Sequence, residues 1–336
     1  MSTQVANEKK RHHYIPITYL NKFTDNSGKV FAFRKDDVDA PLHLQPSAIA
    51  YERYYYSQPL PEVGRDNNTL ENHFSTVEST WNALYDRLRL STAAANDFAV
   101  SDFEGLFIFM GLMRVRVPAA RDMVEISLSE RVKTEVRLLD DLGKLPPKPE
   151  GHEDILDHLS VPIDPHMSLH AMGQLMKGFG FILDHLGYEV IHNETDVTFL
   201  TSDNPIVYFD PTVSEARVLP YQVRPPHGSI ELIFPIDPNT ILLGHTRLRR
   251  PRPPRLHHTV LHDRQAAKRI NRFVARFGYR LVFSPDRTHE VLIAKHASTS
   301  PVIRSISVQH PNGGYFLLND CVFGPRPTKP KWKTDD

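Results

Sequence analysis

Cysteine is almost absent from this chain: Cys321 is the only one in 336 residues. A single thiol excludes an internal disulfide framework and any zinc site built on several cysteines, and it fits a reducing compartment. Long apolar runs are missing too. The longest, Leu106 to Met113, contains Gly111 and stops at Arg114, far short of the ~20 residues a membrane-spanning helix needs. Met1 to Lys10 is polar and lacks the apolar segment of a secretory signal. The expectation is therefore a cytoplasmic protein with no membrane partner. No P-loop, Rossmann fingerprint, Gly-x-Ser-x-Gly elbow or His-Glu-x-x-His pair occurs. Nucleotide-fuelled and acyl-enzyme chemistry both fall in rank.

Net charge is also lacking, being zero overall, but the charges are unevenly placed. From Arg247 to Arg280 there are eleven Lys/Arg and one acid, Asp263, so this window carries +10 and the remainder −10. Such asymmetry points to a polyanionic partner. The segment has two parts. Arg247 to Arg255 interleaves arginines with Pro251, Pro253 and Pro254 as a stiff, extended strip, and Arg264, Lys268, Arg272 and Arg276 then repeat every four residues along a helix. Ile270, Phe273, Val274 and Phe277 give that helix its core-facing side. Its basic face is either a footprint for phosphates or a solvated surface.

Forty per cent hydrophobic and 24% charged residues are globular values. The organisation reads as a polar tail (1–10), one integral domain (11–324; helix-rich over 67–186, strand-rich over 187–324) and a second polar tail (325–336). Three- and four-residue spacing of Leu70, Phe74, Val77, Trp81, Leu84 and Leu88 predicts a helix over Thr69–Leu90. Phe103–Val117 is apolar on every side, as a central buried helix would be, and Pro118 ends or kinks it. Further helices are expected over Arg121–Leu142 and His166–Leu186, with a proline-rich break at Gly143–Gly151 between them. Short strands are expected at 28–34, 188–192, 197–200, 206–209, 230–234 and 240–244, and a strand or packed loop at Tyr51–Tyr56. This order predicts an α+β fold, with a helical N-terminal half packed on a mixed or antiparallel sheet from the C-terminal half.

Candidate chemistry begins in Arg-His-His-Tyr-Ile-Pro-Ile-Thr-Tyr-Leu-Asn-Lys-Phe, residues 11–23. His12 and His13 suit proton transfer near neutral pH, or they belong to a packed first turn. Glu71 and Glu78 fall on one edge of the Thr69–Leu90 face. Glu71 is kept as a candidate metal ligand, and Glu78 is read as a solvated flank. Arg114 and Arg121 issue from apolar surroundings and need either a structural carboxylate or an anionic ligand. In Ser202-Asp203-Asn204-Pro205, Asp203 and Asn204 either fold back as an Asx turn or hold a ligand at a strand end. His258 and His262, four apart and next to His257, would share a helix face, though no third ligand is spaced to join them.

The HHYIPITYLNKF start, the Arg114-x-x-x-Pro118-x-x-Arg121 cluster, the Thr201-Ser-Asp-Asn-Pro205 turn and Phe234-Pro235-Ile236 resemble a widespread microbial family, domain of unknown function 4238. Ile17 stands where that start would carry glutamine. The resemblance implies one integral fold and no particular reaction. The expected activity comes from the residues. It is a phosphodiesterase or nuclease in which His12 or His13 transfers protons and Asp203 orients the imidazole or, with Glu71, holds a divalent metal ion. Arg114 would stabilise phosphoryl charge, while Arg121, Ser202, Asn204, Arg264, Lys268 and Arg272 would bind the nucleic acid. The alternative is a non-catalytic binding or regulatory protein in which these residues lock the N-terminal segment onto the core.

Overall fold

The computed structural model describes residues 8–60, 64–90, 98–249, 256–311 and 313–332. Its first elements are β1 (Arg11–His13), α1 (Ile17–Leu20), β2 (Val30–Arg34), β3 (Asp37–Leu44), β4 (Tyr51–Arg53), β5 (Gln58–Leu60) and β6 (Gly64–Asp66). The helical centre follows as α2 (Thr69–Ser79), α3 (Trp81–Leu90), α4 (Val100–Val115), α5 (Pro118–Asp141) and α6 (Pro165–Leu183). Then come β7 (Gly187–Asn193), β8 (Thr201–Ser202), β9 (Val207–Phe209), β10 (Glu231–Asp237), β11 (Thr240–His245) and β12 (Leu256–Leu261). The last are α7 (Arg264–Phe277), β13 (Leu281–Ser284), α8 (Glu290–Lys295), β14 (Ser300–Gln309) and β15 (Tyr315–Gly324).

The fold is α+β, with the long helices central and strands at both ends of the chain. That corrects the expected division into a helical N-terminal half and a C-terminal sheet. One five-stranded sheet, in the order β12-β7-β11-β10-β9, is antiparallel except for the β12–β7 pair. A second, antiparallel sheet runs β3-β2-β13-β8, so two of its four strands come from before residue 45. The apolar side chains of β13 and β2 explain the union. Val282 and Phe283 are buried beside Ala32 and Phe33, and neither strand hides that surface alone. Lys35, just past β2, donates to the carbonyls of Ala275 and Gly278 at the end of α7, which ties the N-terminal strands to a C-terminal helix.

The single expected helix over 69–90 is two. Ser79 and Thr80 turn their hydroxyls onto the carbonyls of Thr76 and Val77, and α2 stops there. Pro118 sits in the first turn of α5, where its missing N–H costs nothing, so α4 and α5 are separate helices. Residues 197–200 are extended without joining a sheet. The Asn271 side chain serves them instead, accepting from the Leu200 amide (2.9 Å) and donating to the Thr198 carbonyl (2.7 Å). Among the described residues no helix is long and apolar enough to cross a membrane.

Candidate functional site

His12 lies on β1, which pairs with β4 so that His12 sits opposite Glu52. The ring is fully buried and parallel to that of Tyr56. An amide N–H can only donate, so the 2.9 Å bond from the Tyr56 amide fixes His12 Nδ1 as an acceptor. The proton is therefore on Nε2, which donates to the Lys9 carbonyl at 2.9 Å. Both nitrogens serve the backbone, and burial pushes the imidazole pKa down. The ring is held neutral as a clamp between the N-terminal strand and the 54–56 turn. His13 is only half-buried, with a longer 3.3 Å contact from Nε2 to the Ser47 carbonyl.

Ser202, Asp203 and Asn204 are all fully buried. The carboxylate oxygens of Asp203 accept from the amides of Tyr279 (2.7 Å) and Arg280 (2.8 Å), and its own amide donates to Leu281. Burial pushes this carboxyl upward against the pull of those amides and of the Arg280 guanidinium. Ser202 Oγ accepts from the Asn204 amide within the turn. The three residues expected to face a nucleic acid or metal thus face the protein's own interior: Asp203 and Ser202 its backbone, and Asn204 the Phe277 carbonyl and the Tyr221 hydroxyl. Tyr19, from the N-terminal motif, joins the same knot. Its hydroxyl contacts Thr201 Oγ1 (2.7 Å), donates to the Pro235 carbonyl (2.7 Å), and its ring stacks on Phe234.

Arg121 is fully committed. Nε meets Ser168 Oγ at 2.9 Å, the terminal nitrogens donate to the carbonyls of Tyr55 and Pro165, and the guanidinium covers the Tyr55 ring. Sequence reasoning passed over Arg116, the least accessible arginine among the described residues. It is wholly inaccessible, bonded to the Tyr14 carbonyl at 3.0 Å and to Glu78 at 2.6 Å. Glu78 is therefore a counterion and not a solvated flank, and its place on the same edge as Glu71 was the signal for it. Glu71 itself is half-buried beside Arg116, Glu78 and Lys9, whereas Asp203 lies against Tyr279 and Arg280. These two do not form one ligand set. No three His, Cys, Asp or Glu side chains converge to hold a metal ion among the described residues.

Burial raises the Glu71 pKa from 4.5 to about 7. A carboxyl whose folded-state pKa lies above its unfolded value binds extra protons in the native state, so it lowers stability as pH rises. The penalty is absent below about 4.5, grows up to about 7 and is complete above that. Glu71→Gln is expected to flatten this slope and to raise the melting temperature at pH 8 more than at pH 4.5. Thermal melts at the two pH values check it, and equal shifts would sink it.

The basic helix is largely neutralised. Arg264 pairs with Asp196 (3.0 Å), Arg272 grips Glu215 through two nitrogens (2.7 and 3.0 Å), and Arg269 meets Glu231. Of the expected nucleic-acid contacts here, only Lys268 makes no ion pair among the described residues. The arginines at 250, 252 and 255 lie outside those residues. His258 is on strand β12 rather than a helix, with Nδ1 2.9 Å from His192 Nε2, and His262 faces Glu194.

Arg114 differs from the other arginines. It projects from the last turn of α4 into a cavity of about 540 Å³ walled by α5, α6, β9 and the β14–β15 hairpin. Its guanidinium lies 3.9 Å from the centre of the Tyr221 ring and 5.8 Å from that of Tyr208. Buried Nε has no hydrogen-bond partner, but the guanidinium bonds to the Tyr208 hydroxyl; its polar neighbours among the described residues are Tyr221, Tyr208 and Cys321, with no carboxylate among them. Met123, Leu128, Phe179 and Ile303 make most of the remaining wall apolar, with Ser127 and Gln174 as its polar members. Tyr221 holds a left-handed backbone, φ 62°, which is costly for a residue with a bulky side chain. The Asn204 side-chain amide donates to its hydroxyl. The Ser-Asp-Asn-Pro turn therefore reaches the cavity through Tyr221, and Arg114 reaches it directly. Nothing in the sequence singled out Tyr208 or Tyr221, since each lies far along the chain from α4.

No curated protein and no solved structure matches this chain. The model of one family, described as Protein of unknown function (DUF4238), matches residues 11–288, most of the chain. The match takes in the N-terminal histidines, Arg114, Arg121 and the Ser-Asp-Asn-Pro turn and stops before β14, and the chain belongs to that family.

Proposed function

We propose that this protein is a non-catalytic binding protein for a small molecule with one anionic group on an apolar body, held in the Arg114 cavity. The observation that carries this reading is a partly buried guanidinium, its Nε inaccessible, with no carboxylate partner among the described residues at the end of a mostly apolar chamber. A buried cation without a counterion is costly, and a ligand carboxylate or sulfonate would supply one through short charge-assisted bonds. The chamber's 540 Å³ is the size of an ordinary small-molecule site.

The phosphodiesterase expected from the sequence relies on an accessible histidine base and on Asp203 to orient it or hold a metal ion. His12 and Asp203 are spent on backbone partners, which favours binding over catalysis. The experiment is calorimetric titration with decanoate, decanol and 8-anilinonaphthalene-1-sulfonate. Both anions are expected to bind, and decanol about tenfold more weakly, since one lost charge contact is worth at least 1.4 kcal/mol. Gly178 forms part of the cavity wall, and open space lies where its Cβ would stand. Gly178→Leu should therefore fold normally and block both anions. Failure of either anion to bind, or cleavage of DNA or RNA that is lost in His13→Ala, would overturn this reading.

A further inference from the structure

Residues 325–332 were expected as a polar tail, and they lie docked. Their sequence is Pro-Arg-Pro-Thr-Lys-Pro-Lys-Trp. Prolines at 325, 327 and 330 favour the polyproline II form, which has three residues per turn. Arg326, Lys329 and Trp332 then share one face, and these are the three side chains engaged with the fold. Arg326 reaches Asp36 at 3.5 Å and covers the Tyr279 ring. The Lys329 ammonium sits between Asp122 and Glu125, two buried carboxylates of α5, 2.5 Å from the latter. Trp332 closes a cavity lined by Tyr54, Arg121, His166 and Leu169. Pro325, Pro327, Thr328, Pro330 and Lys331 stay exposed, and Trp332, which covers its cavity with one face only, is still 44% exposed.

The segment is held by side chains alone. Among the described residues none of the main-chain hydrogen bonds outside helices and strands involves it. It also fits loosely, leaving cavities of about 320 Å³ beside Pro327 and Pro330 and about 250 Å³ beside Trp332. Permanent core elements pack without such gaps. The carboxylates, by contrast, call for a second cation: without the tail Asp122 keeps Arg280 at 3.5 Å, while Glu125 keeps, among the described residues, only the Ser168 hydroxyl.

We propose that this groove is a docking site for an extended, basic, proline-punctuated peptide with Arg, Lys and Trp at three-residue spacing, which the chain's own residues 325–332 occupy in cis and yield to a competitor. Polyproline recognition in aromatic-lined grooves works this way, with a preformed helix presenting every third side chain. Acidic residues at two of the three positions select basic side chains.

The probe is a fluorescein-labelled peptide of residues 324–336, titrated by anisotropy into full-length protein. The tail-released chain, Lys329→Ala with Trp332→Ala, is expected to bind it at least tenfold more tightly than wild type, whose tethered tail competes at high effective concentration. Adding Glu125→Gln should weaken that binding. A scrambled peptide of equal charge should not bind. No binding by the tail-released chain, or equal binding of the scrambled peptide, overturns the proposal. If the double variant does not melt cooperatively, a fluorophore ligated to the C-terminus of the otherwise unchanged chain replaces it. Unlabelled peptide must then lower the tail's anisotropy, and no change at millimolar peptide overturns the proposal. A concentration-dependent dimer lost in Lys329→Ala would identify a second copy's tail as the peptide.

Discussion

Glu78→Ala is expected to lower unfolding free energy by about 3–5 kcal/mol, because it leaves Arg116 charged and buried without its counterion. Arg116 is completely inaccessible, and one terminal nitrogen is already without a hydrogen-bond partner. Its Nε bond to the Tyr14 carbonyl satisfies a single donor and does nothing to neutralise the charge. Arginine does not escape by losing its proton at any accessible pH. The double variant Glu78→Ala with Arg116→Met should recover most of the loss, since an apolar side chain of similar length fills the space beneath Phe74 without the desolvation cost. Urea denaturation of the wild type, both single variants and the double variant measures the coupling. A single-variant loss below about 1 kcal/mol would mean that water reaches the guanidinium and that the pair counts only as a surface bridge.

Arg114→Met should behave in the opposite way. Affinity for decanoate is expected to fall about 10–100-fold, the worth of a charge-assisted hydrogen bond. Stability should change little, because the variant loses the Tyr208 hydroxyl bond and the Tyr221 ring contact together with the desolvation cost of a cation that has no carboxylate partner among the described residues. Methionine keeps the apolar stem against Tyr221 and Tyr208, so packing of the chamber is preserved. Titration calorimetry and a melting curve on one preparation give both quantities. If Arg114→Met destabilises as Glu78→Ala does and leaves decanoate affinity intact, Arg114 is a strut and the cavity is not its binding site.

The sequence disclosed local structure well and long-range partnership poorly. Helices such as α7 were legible because Ile270, Phe273, Val274 and Phe277 recur with the helical period. A turn before Pro205 was legible, but the expected Asx turn is not what forms: Ser202 Oγ makes the local bond, and the Asp203 and Asn204 side chains reach distant partners. What the oxygens of Asp203 bind was not legible, since Tyr279 and Arg280 are more than seventy positions away. The four arginines of the 114–121 region and α7 that were singled out looked alike in sequence, and only tertiary pairing separates them. Arg121 is spent on carbonyls and a hydroxyl, Arg264 and Arg272 on carboxylates, and Arg114 on no acid. Glu78 was misread for the same reason: a helix-edge acid looks solvated until its partner on another helix is known.

The β2–β13 pairing also has a consequence for how the chain is made. β2 ends at Arg34 and its neighbour begins at Leu281, so about 250 further residues must be synthesised before that ladder can form. During translation the β2–β3 hairpin therefore waits with one edge unpaired, exposing backbone groups that another strand could capture. Closing so long a loop is slow relative to helix formation. The central helices should assemble first on the ribosome, with the β2–β3 hairpin joining its sheet only after β13 has emerged.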